Sequence, residues 1–162
     1  MTGSLVAVVE IPRGSRNKYE VDHESGEIFL DRMLFTATRY PADYGFIPDT
    51  LAEDGDPLDV LVLVAEPTFP GCRIRVRPIG VFLMEDSGDP DHKIISVPEG
   101  DPRWDGTTDV DHLDVHLRRE LEHFFEVYKD LEEAKTAVIG WQGASQAVDV
   151  IEAARAAFAD PT

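Results

Sequence analysis

Arg73-Ile74-Arg75-Val76-Arg77 decides the fold, together with Ile79–Met84 just after it and Lys93–Val97 beyond an acidic loop. Arg alternates with Ile and Val in the first of these, the period-2 pattern of a strand with one wet face. Ile79–Met84 and Lys93–Val97 continue the β pattern. Upstream, Val60–Val64 is a short unbroken apolar run that suits a strand buried on both faces, and Leu5–Pro12 is a β-rich run ending at a proline. Lys18–Asp22 and Glu27–Arg32 are strand-like and flank His23-Glu24-Ser25-Gly26, where Gly26 can supply the positive φ of a hairpin turn. Downstream the period changes. Leu113, Leu117, Leu121, Phe124, Phe125 and Tyr128 recur at helical steps, and Val148, Ile151 and Phe158 mark a second helix with Ser145 as its N-cap. Gly140 and Gly143 break the chain between the two. Short strands separated by turn signals favour an antiparallel barrel or sandwich over a doubly wound sheet, here with two helices packed outside it.

The 162 residues fit one domain spanning 1–162, long enough to bury a core without staples. A hydrophobic content of 43% is that of a globular chain. The longest apolar runs, Leu5–Val9 and Val60–Ala65, are too short to span a bilayer, and no secretory pattern opens the sequence. Cys72 stands alone, so no disulfide forms within the chain. These features lead us to expect a cytoplasmic protein with no membrane partner. Thirty-two acids against fifteen bases give a net charge of −17, which repels nucleic acid. The acids make either a solvated surface or a cation site, and their positions must choose.

Asp54-Gly55-Asp56-Pro57-Leu58-Asp59 is the most specific local signal. Gly and Pro bend the chain just before Val60–Val64, and a bend lets Asp54, Asp56 and Asp59 converge where an extended strand would separate them. Oxygen ligands on a loop suit a hard cation such as Mg²⁺ or Mn²⁺; the same hexapeptide also reads as an ordinary acidic turn. An EF-hand is excluded, because Pro57 and a following strand contradict its helix–loop–helix frame. A second acidic group, Glu85, Asp86, Asp89 and Asp91, follows the strand ending at Met84, with Lys93 beyond it. Glu10 sits inside the otherwise apolar first strand.

Basic and phenolic groups are scarce and unevenly placed. Lys18 and Glu20 share strand parity and should project from one face. Arg32 closes the second hairpin strand, Tyr40 and Tyr44 flank Pro41-Ala42-Asp43, and Tyr128-Lys129 ends the first helix. Each taken singly reads as a surface charge or a core-edge aromatic. Their coincidence with two acidic loops gives them weight.

In order along the chain, Glu10-Ile11-Pro12, Asn17-Lys18-Tyr19-Glu20-Val21-Asp22, Asp31-Arg32, Tyr40-Pro41-Ala42-Asp43-Tyr44-Gly45, Asp54 to Val60, Arg77-Pro78-Ile79-Gly80-Val81 and His123 to Glu132 resemble the signature blocks of the soluble family I inorganic pyrophosphatases of bacterial type. The resemblance implies an OB-like five-stranded β-barrel with flanking helices. It implies Mg²⁺-dependent hydrolysis of inorganic pyrophosphate to two phosphates, with Mn²⁺ a possible substitute, and a homohexamer. Carried over residue by residue, it implies metal ligation by Asp54, Asp59, Asp86 and Asp91, with Glu10 and Glu20 in outer or additional metal roles. Asp56 would deprotonate the attacking water, with Asp91 a second candidate. Lys18, Arg32, Tyr44, Lys93, Tyr128 and Lys129 would hold phosphate oxygens. The sequence departs from the pattern at Ser87, where many bacterial members carry Glu, and at Val127, where several carry His. His23 follows Asp22 as in one bacterial branch.

Pyrophosphate is densely anionic and resists attack by hydroxide. Two metals about 3.5–4 Å apart can activate one water and stabilise entering and leaving oxygens together, while Lys and Arg offset charge on the leaving phosphate. No serine, nor Cys72, has an evident His–acid pair, so direct attack by water is the simpler route. A magnesium-dependent nucleoside polyphosphate hydrolase is the nearest rival, but there is no Walker-type Gly-rich loop, and Arg119-Glu120-Leu121 matches only a fragment of the Nudix pattern. An OB-like oligonucleotide-binding module is disfavoured by the acidic balance.

Overall fold

A computed structural model describes residues 5–160. Nine strands and two α-helices run in the order β1 (Leu5–Ile11), β2 (Asn17–Val21), β3 (Ile28–Met33), β4 (Asp43–Ile47), β5 (Leu58–Val62), β6 (Arg73–Asp86), β7 (Asp89–Pro90), β8 (Lys93–Pro98), α1 (Val115–Val127), β9 (Thr136–Gly143) and α2 (Ala144–Ala159). Neighbouring strands follow the order β1-β4-β5-β8-β6, and β6 pairs again with β1, so five strands close into a ring. This is the expected OB-like barrel. Closure removes free edges, a recurrent solution for small all-β sheets.

One pair departs from the antiparallel expectation. β5 and β8 run parallel, with Asp59 opposite Lys93 and Val62 opposite Ser96. A parallel pair needs a long crossover, and the whole of β6 supplies it. β6 also runs unbroken where two separate β segments were read. It passes Pro78 by a register shift between Pro78 and Gly80, which accommodates a residue with no N–H to donate.

β2 and β3 form a separate two-stranded hairpin, as the sequence predicts. Asp22 Oδ1 accepts the Glu24 and Ser25 N–H groups, each at 2.9 Å, and Gly26 takes φ 76° to close the turn. A buried acid ties this hairpin to the ring, for Glu10 Oε2 accepts the Val21 N–H at 2.9 Å.

Three strands differ from the sequence pattern; the shortest, β7, is a two-residue pairing with β6 inside the second acidic loop. β4 begins inside a segment read as a turn, Pro41-Ala42-Asp43, because too few alternating positions separate Asp43 from the following proline to reveal a period. β9 occupies the segment that Gly140 was read as breaking; it pairs with β6, Leu83 opposite Gly140, on the outside of the ring. Ser145 is also not the N-cap of α2. Gly143 takes that position, its N–H donating to the Gln146 side chain at 3.1 Å, and Asp109 Oδ2 accepts the Ala144 N–H at 2.9 Å. The buried stripe of α2 runs through Ala147, Ile151 and Ala154, while Phe158 is half exposed.

The apolar side chains sort into two cores. One takes residues from each of the five ring strands, among them Ala7, Ile47, Val60, Val81 and Ile94, and joins them to the α2 stripe. The other packs Leu61, Ile79, Phe82, Met84 and Ile95 against Leu121, Phe124, Phe125 and Tyr128 of the α1 region. Gly45 lets the ring close tightly where β1 crosses β4, since a Cβ there would lie 1.8 Å from the Val8 carbonyl oxygen. Among the described residues, no helix is long and apolar enough to cross a membrane.

Candidate active site

The parallel pair determines where the acids meet. The loop carrying Asp54 and Asp56 leads into β5, and the turn carrying Asp89 and Asp91 leads into β8. Because β5 and β8 start at the same end of the ring, both loops open into one cleft of about 370 Å³. Asp54, Asp56, Asp59, Asp86 and Asp91 line it, joined by Glu10 from β1 and Glu20 from β2. Lys18, Tyr44, Tyr128 and Lys129 line the same space, so cationic and phenolic groups face the acids. Lys18 and Glu20 both reach the cleft, as their shared parity predicted.

Two residues expected on the cleft wall are not among the side chains that line it. Lys93 is 1% exposed and sits beneath the acids. Its ammonium donates to the Tyr44 hydroxyl at 2.9 Å, to Asp59 Oδ2 at 3.0 Å and to Asp91 Oδ1 at 3.1 Å, which uses all three of its protons. It also stands 5.1 Å from the Tyr44 ring centroid and 5.6 Å from that of Phe125. Arg32 is held from two sides, by Asp31 and, at 2.8 Å, by Glu132. The sequence reading missed both carboxylates as partners. Asp31 was legible in principle, because it adjoins Arg32 and lies across the hairpin from Lys18, with which it pairs at 3.0 Å. Glu132 ends the last block of the resemblance, but nothing in that block marks it as a partner of Arg32.

Burial governs the electrostatics. Desolvation pushes the Glu10 carboxyl up to about 7; the Val21 N–H opposes this and nearby Asp59 adds to it. Burial also raises Asp54, against the Asp56 N–H that its carboxylate accepts at 2.9 Å. Asp91 is raised by burial as well, with Lys93 opposing. Burial alone would lower Lys93, but Asp59 and Asp91 outweigh it and hold the ammonium above its usual range. Lys129 behaves alike: burial would lower it, yet Tyr128 and Asp86, the latter accepting its proton at 2.6 Å, raise it. Burial raises Tyr40, Tyr44 and Tyr128, so each remains a neutral O–H donor. Tyr40 stacks on Phe124 at 4.8 Å and Phe124 on Tyr128 at 5.0 Å, an aromatic floor that fixes the phenols.

The donor set fits a divalent cation. Glu10, Asp54 and Asp91 are all pushed toward the neutral acid, first by burial and then by neighbouring carboxylates. A hard cation reverses that shift, and every cleft acid offers oxygen. No ready-made cage is present: among the described residues, no three His, Cys, Asp or Glu side chains are already arranged to hold an ion. Lys93 and Lys129 occupy oxygens of Asp59, Asp91 and Asp86 instead.

A ring closed around two acidic loops, opposite lysines and buried phenols, defines a site for a small, densely anionic substrate accompanied by cations. Comparison with known proteins agrees. The sequence profile described as inorganic pyrophosphatase matches residues 7–159, so the chain belongs to the inorganic pyrophosphatase family. It is 56% identical over 147 residues to an inorganic pyrophosphatase of Leifsonia xyli subsp. xyli, covering 90% of each chain. It is 55% identical over 153 residues to one of Streptomyces coelicolor, covering 94% of each. Among solved structures, the inorganic pyrophosphatase of Thermus thermophilus superposes with a TM-score of 0.94 at 44% identity, over 98% of this chain and 93% of that one. The Helicobacter pylori enzyme gives 0.94 at 42% identity, over 96% and 94%.

Proposed function

We propose that this chain, as a single domain, hydrolyses inorganic pyrophosphate to two phosphates by direct attack of water, with Mg²⁺ as its cofactor. The observation that supports this most is the juxtaposition of Asp54, Asp56 and Asp59 with Asp86 and Asp91 across the parallel pair, facing Lys18 and Lys129. Asp54, Asp59, Asp86 and Asp91 would hold the cations, with Glu10 and Glu20 in outer or additional metal roles. Mg²⁺, when bound, supplies Lewis-acid chemistry that offsets phosphate charge and makes water a stronger acid.

Asp56 is the better candidate for the group that takes the proton from the attacking water. It is exposed in the cleft, whereas Asp91, the second candidate, already accepts from Lys93. Lys18 and Lys129 would bind the phosphate oxygens and exchange their present carboxylate partners for substrate. Tyr44 accepts from Lys93, which leaves its own proton to donate into the cleft. Tyr128 adds a second neutral donor. The part of Lys93 is then to hold Asp59, Asp91 and Tyr44 in place rather than to grip phosphate from the open side. Arg32 would reach the phosphate from the hairpin side of the basic wall.

The resemblance extends the proposal to a homohexamer working in the cytoplasm. Exposed Phe29, Leu30, Met33 and Phe35 along the hairpin support association between copies.

Phosphate release from pyrophosphate and from nucleoside triphosphates, each titrated with Mg²⁺ and Mn²⁺, tests the activity. Preference for the triphosphate would replace the reading with that of a nucleotide hydrolase. Light scattering on the purified chain tests the hexamer.

A further inference from the structure

We infer that Glu132 is a positioning residue for Arg32, setting the guanidinium for the substrate's phosphate; the inference rests on the pyrophosphatase reading and on Arg32 as a phosphate ligand. Glu132 lies just past α1, and its backbone is fixed by a turn in which its N–H donates to the Lys129 carbonyl at 2.9 Å. The same short segment therefore carries Tyr128 and Lys129 on the cleft wall and the carboxylate behind it. Glu132 Oε1 meets Arg32 Nη2 at 2.8 Å, with the side chains 13% and 24% exposed.

The pair is half of a fork. Arg32 Nε and Glu132 Oε2 are both buried and both without a hydrogen-bond partner. A guanidinium edge presents Nε and Nη2 side by side, and a carboxylate presents two oxygens to match them. One of the two parallel bonds is made, and the donor and acceptor of the other lie on these same two residues. Leaving such atoms unpaired is costly in a buried setting. A second bond between these two atoms would fix the plane of the guanidinium. Asp31 takes Nη1 from the other side and shares its oxygen with Lys18. Two phosphate-binding cations are thus oriented through one carboxylate each from β3 and the end of α1. A phosphate drawing on Arg32 would compete with Asp31, the more exposed of the two partners at 33%, while Glu132 keeps hold.

The test is a double-mutant cycle on the full-length chain. We expect Glu132→Ala to raise the KM for pyrophosphate about tenfold, the scale of one charge-assisted hydrogen bond lost, with kcat changed little. Glu132→Gln keeps the Oε1 acceptor and should restore part of the loss. In an Arg32→Ala background, Glu132→Ala should add nothing, because the residue through which it acts is gone. A KM unchanged or lowered in Glu132→Ala, or effects of the two substitutions that multiply, would overturn the inference. If Glu132→Ala does not fold, the same cycle with Glu132→Gln decides. A wild-type chain that releases no phosphate from pyrophosphate defeats the pyrophosphatase reading itself, a result distinct from any of these.

Discussion

Asp59 and Lys93 face each other across the parallel β5–β8 pair, and the Lys93 ammonium donates to Asp59 Oδ2 at 3.0 Å. The contact joins the first acidic segment to the second through a lysine buried from solvent. Removing the cation while leaving its three partners should therefore harm the fold as well as the chemistry. Lys93→Met should cost about 3–5 kcal/mol, the scale for stripping one partner from a buried ionic network. Urea unfolding of both proteins checks it, and a loss below about 1 kcal/mol would show that Asp59 and Asp91 do not depend on Lys93.

Asp56 serves the fold through its backbone, its N–H donating to Asp54 Oδ1 and its carbonyl accepting the Ala52 N–H, and an Asn keeps both bonds. Asp56→Asn should lower kcat by about 10²–10⁴, the range for loss of a positioned proton acceptor, with the melting temperature nearly unchanged. Asp91→Asn, by contrast, should lower both turnover and stability because Asp91 shares Lys93. Steady-state kinetics and calorimetry on the two variants separate them. Normal turnover in Asp56→Asn would move the proton-accepting role elsewhere.

Chelation should abolish phosphate release without unfolding the chain. Lys93 pairs with Asp59 and Asp91 and Lys129 with Asp86, so part of the repulsion in the apo cleft is already offset. Circular dichroism before and after EDTA, with recovery on adding Mg²⁺, measures this; loss of the β signal on chelation would contradict it.

Asp109 provides a pH test away from the cleft. Its carboxylate accepts the Ala144 and Asp111 N–H groups, and the first of these, then the second, hold its pKa below the usual carboxylate value. A depressed folded pKa gives stability that is present above the unfolded value, about 4, and is lost as pH falls through the folded one. Asp109→Ala should thus cost about 1 kcal/mol at neutral pH, as for loss of a helix cap, and the gap to wild type should close in acid. Denaturant midpoints at pH 7 and near pH 3 read the difference, and a gap that widens in acid would refute the linkage.

Gly45→Ala should be among the most damaging single changes in the chain. Its Cβ would meet the backbone oxygen of Val8, and backbone cannot step aside as a flexible side chain can. A loss of about 3 kcal/mol or more is expected, at the upper end of overpacking costs. Soluble yield and thermal unfolding check it, and wild-type stability would mean that β1 and β4 separate without penalty.

Much of this was legible in the residues. The acidic hexapeptide, the hairpin with Gly26 and the amphipathic spacing of α1 each carry a local cause, and each stands where the pattern placed it. The ring strands were less evident where side chains alternate poorly: β4 is short and follows a proline, and the small residues of β9 hide its pairing with β6. Parallel pairing of β5 and β8 left no trace in either strand, because register is a property of two segments and not of one. For the same reason the cleft acids could be named from sequence while the burial of Lys93 could not. That lysine looks like any other until the strands beneath Asp59 and Asp91 close around it. The clasp on Arg32 stayed hidden too, since its distal half sits a hundred residues away on another element.

β6 pairs with β1, β8 and β9 at once, so the ring has no complete form until the chain has been made through Pro98. Without β6 and β8, β1 and β5 would each lack the neighbour that closes the ring and would keep an unpaired edge. Insertion of β8 shuts the ring, and it brings Lys93 under Asp59 in the same event. Chains stalled or clipped before that strand should be sticky and inert together, leaving the cell no half-built enzyme able to bind ions without turning over substrate.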